Sequence, residues 1–264
     1  MQADRDTVSF AKGWTALLTA PCVFAIAAVL ASMPIALAAD VVVPAAIQAI
    51  VDSPDRSQAD RDTDKRRHPA ELLAFSGVKP GMKVFDFGTG RGYTAELLAR
   101  AVGPQGSVVA QNDPIVFERF MKGQCDPRFS GAAMKNVTAV VRASDDPVPA
   151  GSGPFDLIMA IYMYHDTVWM GRDRAAMNRA FFNALKPGGQ LVLVDHAGKP
   201  GTGTTQTDTL HRIEESVVKS ELEAAGFKLV DEAQFLRNPN DPGDAPFFKS
   251  PVPVDGFVLK FAKP

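Results

Sequence analysis

Two groups of residues in this chain are of types and spacing suited to chemistry. Three of its four histidines, His165, His196 and His211, each stand close to an acid, with Asp166 following His165 and Asp195 preceding His196. Imidazole changes charge near neutral pH, so each suits proton transfer, and Asp166 is placed to orient His165 as the first candidate base. The second group is the run KVFDFGTGRGY at residues 83–93, in which Asp86 is followed by Gly88, Gly90 and Gly92. Glycines at that spacing let the backbone turn tightly and let a ligand approach with no Cβ in the way. The helix pattern that follows would offer unbonded N–H groups to polar parts of such a ligand.

Less specific roles stand beside these. Any of the histidines could cap a helix or satisfy a buried carbonyl. His165, Asp166, Asp195, His196 and His211 are also types that ligate metals, but their local spacing matches no binding signature, and no metal is assigned from it. Tyr93, Tyr162 and Tyr164 could stack on a ligand or simply fill core.

Strands and helices must bring these groups together. Apolar runs at residues 83–87, 107–111, 136–142, 155–161, 190–195, 227–230 and 256–261 read as strands. Helical patterns fall between most of them, at 69–75, 94–102, 172–185 and 214–225, bounded by prolines and glycines. Near-continuous apolar strands alternating with helices indicate an α/β domain with a mostly parallel sheet covered on both faces. Ligands in such sheets bind beyond the carboxyl ends of the strands, where residues 161–166 and 195–196 should lie.

Composition removes some classes of function. A net charge of −2 over 264 residues provides no basic stripe for nucleic acid. Residues 1–39 contain an apolar run and an Ala36-x-Ala38 pattern, which read as a cleavable export signal, with an uncleaved membrane anchor as the alternative. The mature protein is then expected outside the cytosol, in the periplasm, as an arm of mixed charge at 40–68 followed by one domain from 69 to 264. Cleavage would leave Cys125 as the only cysteine, expected to be buried or idle. The charge run at 53–68 reads as a solvated segment, or else as a lid supplying Arg66, Arg67 and His68 to a ligand.

The run D-x-G-x-G-x-G, FDLI at 155–158 and LKPGGQLVLVD at 185–195 together resemble class I S-adenosylmethionine (SAM)-dependent methyltransferases over roughly residues 69–264. Within that family, DRDTDKRRHPAELLAF, YMYHD and DHAGKPGTG resemble bacterial predicted methyltransferases with signal peptides. The resemblance implies a Rossmann-like seven-stranded sheet with an antiparallel last strand, SAM as cofactor, and a small-molecule methyl acceptor. It places Asp86, Gly88, Gly90 and Gly92 along the methionine and ribose of SAM. It places Asn112 or Asp113 at the ribose hydroxyls and Asp145 toward the adenine amino group. No N-P-P-[YF] run follows the fourth strand, which argues against methylation of nucleic-acid bases. Tyr93 stands where a nicotinamide-binding turn would have its third glycine. An exported module that binds a ligand without methylating it is the other reading, supported by Asn in place of an acid at 112.

Overall fold

Period-two alternation sorts the strand side chains to two faces. In β1 (Lys83–Phe87), Val84 joins the core beneath one layer of helices, while Phe85 and Phe87 join the core beneath the other. The computed structural model describes residues 41–264, so the export signal expected at 1–39 lies outside the described residues. Among the described residues no helix is long and apolar enough to cross a membrane.

The chain runs α1 (Ala45–Val51), α2 (Gln58–Arg67), α3 (Pro69–Ser76), β1, α4 (Tyr93–Val102), β2 (Ser107–Asn112), α5 (Pro114–Met121), β3 (Val137–Val141) and β4 (Phe155–Ile161). It continues through α6 (Tyr164–Trp169), α7 (Arg174–Ala184), β5 (Leu185–His196), α8 (Glu215–Ala224), β6 (Lys228–Ala233) and β7 (Gly256–Ala262). The seven strands form one sheet in the order β3-β2-β1-β4-β5-β7-β6. All pairings are parallel except those of β7, which is antiparallel to both β5 and β6. The expected fold is therefore the observed one.

Leu73, Leu98 and Val84 belong to one core, and Phe181, Leu222 and Phe85 to the other, so both faces of the sheet are covered. From β1 the chain passes outward to β2, and from β4 it passes to β5 on the other side. The crevice between the carboxyl ends of β1 and β4 is thus the switch point where such sheets take ligands.

The charge run is not a solvated segment. Ser57 accepts the backbone N–H of Asp60 and caps α2, while Lys65, Arg66 and Arg67 complement the carbonyl end of its dipole. The helix then docks through charge. Arg56 pairs with both oxygens of Asp64 at 2.7 Å, the Tyr93 hydroxyl donates to Asp64 at 2.6 Å, and Arg128 bridges Asp60 and Glu96. Asp60 and Arg56 are both buried. β5 also begins earlier than its apolar pattern: Gly188 donates to Lys263 O and Lys263 to Gly189 O, extending the pairing with β7 through the Lys186–Gly189 turn. Cys125 is exposed rather than buried.

Candidate functional site

Gly88, Gly90 and Gly92 adopt φ values of +69°, +56° and +84°, a region strained for side chains with a Cβ. Their surroundings differ. A Cβ at Gly88 would lie 2.3 Å from Met163 Cγ, and one at Gly92 would lie 2.9 Å from Phe129 Cζ. A Cβ at Gly90 would meet nothing within 4 Å. Gly88 and Gly92 are thus required by packing, and Gly90 borders the open cradle.

The carboxylate of Asp86 sits under this turn, 1 % exposed, with no hydrogen-bond partner at Oδ2. Burial pushes its pKa up to about 7, although the Arg67 guanidinium pulls the other way. Arg67, at the end of α2, also has a buried unpartnered Nε, and its guanidinium lies over Tyr93 at 5.2 Å and Tyr162 at 5.1 Å. Orphaned buried polar groups are uncommon, and a carboxylate and a guanidinium at one turn fit the ammonium and carboxylate of an amino-acid ligand. The methionine end of SAM therefore fits these residues.

The ribose end differs from expectation. Asn112 accepts from Gly90 N at 2.9 Å and donates to Gly90 O at 3.0 Å, so its amide shapes the turn. Asp113 is fully buried, capping α5 through Ile115 N and accepting from Arg172 and from the backbone and hydroxyl of Ser144. Neither side chain offers the open carboxylate that two ribose hydroxyls would need. Asp145, next to Ser144, is half-buried on the turn after β3.

The histidines do converge. The fold brings His165 and Asp166, on the first turn of α6, against His196 at the end of β5 and His211 on the loop before α8. Sequence adjacency made Asp166 the partner that orients His165, but the fold gives that role to Asp195. His165 Nδ1 lies 2.6 Å from Asp195 Oδ1, while Asp166 Oδ1 stands 3.1 Å from the opposite nitrogen, Nε2. Burial works against a charge on His165, yet Asp195 and Asp166 outweigh it and raise the pKa to about 10. His196 moves the other way: burial, then the charges of His165, Arg212, Arg66 and Arg67, hold it well below the usual histidine range. Its ring stacks between Tyr162 at 4.5 Å and Phe247 at 4.9 Å.

These groups line a cavity of roughly 510 Å³ with Arg67, Trp169 and Phe248. A second hollow of roughly 580 Å³ shares Tyr162, His196 and Phe247 with it. Tyr164, by contrast, is core, with its hydroxyl bonded to Glu221 and Asn178. Trp169 and the Phe247–Phe248 wall escaped the sequence reading, which names Arg67 as part of a possible lid and Asp195 as the acid beside His196 but not as the partner of His165. Phe247 and Phe248 sit on a proline-rich loop that the fully buried Arg212 anchors through Asp241 and Ala245 O.

Residues 58–232 match a family model described as a methyltransferase domain. A ubiquinone/menaquinone biosynthesis C-methyltransferase of Shewanella sp. (strain W3-18-1) is 29% identical over 131 residues, covering 49% of this chain and 47% of that protein. The corresponding protein of Idiomarina loihiensis is 26% identical over 185 residues, covering 59% of this chain and 70% of its own length. The chain thus spans about half the length of the first of these relatives. Among solved structures, a SAM-dependent methyltransferase from Aquifex aeolicus superposes with a TM-score of 0.54 at 19% identity, covering 83% of this chain and 98% of that one. At that identity the likeness is one of fold.

Proposed function

Because the chain belongs to the methyltransferase-domain family, we propose that it transfers a methyl group from SAM to a small, planar acceptor bearing an anionic or hydroxyl group. SAM is the cofactor, and when bound it supplies a methyl group made electrophilic by the attached sulfonium. Asp86 would hold its ammonium and Arg67 its carboxylate. The observation that carries the reading is the position of Arg67 and Tyr162, which border the glycine turn and also line the 510 Å³ cavity. Donor cradle and acceptor cavity then share a wall, and alignment of nucleophile with methyl is the main requirement of this displacement.

The acceptor class follows from the lining. Tyr162, Trp169, Phe247 and Phe248 offer faces and edges to a planar molecule, and Arg66, Arg67 and Arg119 balance negative charge. The quinone-pathway names of the curated relatives accord with a planar acceptor. Both nitrogens of His165 face carboxylates, whereas His196 lies on the wall common to both hollows. His196 is accordingly placed to take a proton that a hydroxyl acceptor gives up.

Calorimetric titration of the full-length protein with SAM and S-adenosylhomocysteine tests the donor side. Release of S-adenosylhomocysteine from a panel of phenols, quinols and aromatic carboxylates tests the acceptor side. A folded sample that binds neither cofactor would favour a non-catalytic binding module, a reading supported by the engagement of Asn112 with Gly90.

A further inference from the structure

Asp195 is completely buried and accepts three hydrogen bonds, from His165 N at 2.9 Å, His196 N at 2.8 Å and His165 Nδ1 at 2.6 Å. A carboxylate so placed acts only as an acceptor, so Nδ1 of His165 keeps its proton whatever the state of Nε2. Nε2 then faces the other way. It belongs to a side chain only 2 % exposed and has no hydrogen-bond partner, even though Asp166 Oδ1 is 3.1 Å distant. The contact is close but misdirected for a hydrogen bond. His211 Nδ1 lies 3.3 Å from the same Asp166 oxygen. Ligand-type atoms of all three residues fall within 4.8 Å of one another.

Those separations have a simple interpretation. Tetrahedral coordination with bonds near 2.0–2.1 Å places neighbouring donor atoms about 3.3–3.4 Å apart. We propose that His165 Nε2, Asp166 Oδ1 and His211 bind a first-row divalent cation of the zinc class, with an open coordination position toward the cavity. Two imidazoles and one carboxylate are a poor match for magnesium or calcium, which prefer oxygen-only shells, and suit zinc, cobalt or ferrous iron.

The surroundings are those of a supported metal site. Asp195 on the far nitrogen of His165 fixes the ring and raises its basicity, as outer carboxylates do for metal-bound histidines. The Trp169 indole N–H donates to Asp166 Oδ1 at 2.6 Å, orienting the carboxylate while leaving it a second lone pair. His165, Asp166 and His211 all line the 510 Å³ cavity, so the remaining position faces space that an oxygen donor can enter. The proposal stands on this geometry and does not depend on SAM being the cofactor.

The test uses the full-length protein, stripped with a chelator and titrated with Co²⁺ while its visible spectrum is recorded. Stoichiometric binding, one Co²⁺ per chain, is expected, with d–d bands of a low-coordinate nitrogen–oxygen site that Zn²⁺ abolishes by competition. His211→Ala removes a partly exposed side chain and should leave the fold intact. It should weaken Co²⁺ binding by more than the roughly 10- to 100-fold that outer-shell changes cost. Asp166→Ala should do the same, and Zn²⁺ should raise the melting temperature of the parent protein but not of either variant. Absence of stoichiometric binding, or unchanged affinity in both variants, would overturn the assignment. A parallel SAM titration separates the two readings: SAM binding without metal binding sinks only the metal site, and metal binding without SAM binding sinks only the methyl-transfer reading.

Discussion

Asp195 Oδ1 lies 2.6 Å from His165 Nδ1, and the same carboxylate holds the backbone N–H groups that begin α6 and end β5. One buried acid thus sets the orientation of His165 and the relative position of two walls of the cavity. Asp195→Asn preserves volume but removes the charge from that bond, a change worth about 1.5–3 kcal/mol for a charged hydrogen bond. Turnover should fall roughly 10- to 100-fold, since each 1.36 kcal/mol is tenfold in rate. SAM affinity should be unchanged, because the hydrogen bonds of Asp195 go to His165 and His196 and not to the glycine turn. Paired titration and single-turnover assays check this, and full turnover in the variant would remove Asp195 from the reaction.

The three glycines of the turn should separate under substitution. Gly90→Arg keeps the same strained φ and fills the open cradle, so SAM binding should be lost while circular dichroism still reports a folded sheet. Gly88→Ala adds only a methyl group, but it meets Met163 Cγ at 2.3 Å. Backbone strain of about 1–2 kcal/mol and overpacking of about 1–3 kcal/mol should then lower its melting temperature. Trimming the neighbour as well, in Gly88→Ala with Met163→Ala, removes the contact with Cγ but leaves Met163 Cβ at 2.6 Å, so it should relieve the clash only in part and the backbone strain not at all. Equal SAM affinity in Gly90→Arg and the parent protein would mean that the cofactor does not enter by this turn.

Much of this architecture was legible in the chain, and what was not has a common cause. FDLIMAI is β4 residue for residue, because a strand buried on both faces announces itself by composition alone. The helix α2 was hidden because its partners are remote: Arg128 reaches Asp60 across 68 residues and Tyr93 reaches Asp64 across 29. A run such as DRDTDKRR reads as solvated until those partners are known. Likewise, His165 has an acid as its immediate neighbour, yet the acid that fixes its tautomer is 30 residues away. Chemistry-bearing residue types were visible locally, and the pairing among them was set by topology.

Arg67 is the residue through which the arm would reach the cofactor. Arg67→Ala removes the guanidinium over Tyr93 and Tyr162 and should weaken SAM binding about tenfold or more, the value of one charge-assisted hydrogen bond. Thermal stability should change little, since α2 stays docked through Arg56–Asp64 and Arg128–Asp60. Calorimetry and melting curves on one preparation distinguish these outcomes. A large loss of stability with unaltered SAM affinity would make Arg67 a packing residue only.

The pH dependence of SAM binding tests Asp86 directly. Burial raises its pKa from 3.8 to about 7, so the folded chain without cofactor holds a proton that the unfolded chain has released. That contribution to stability is fully present below about pH 4 and is lost as pH rises through about 7. A cationic ammonium beside Asp86 reverses the preference and favours the ionised carboxylate. SAM affinity should therefore increase with pH up to about 7, approaching tenfold per unit at its steepest, the limit for one linked proton. Titrations between pH 5.5 and 7 cover the range in which the α-amino group of SAM stays protonated, its ordinary pKa being about 7.7–8. In Asp86→Asn the slope should vanish and affinity at pH 7 should fall. A flat profile in the parent protein would show that the ammonium lies elsewhere.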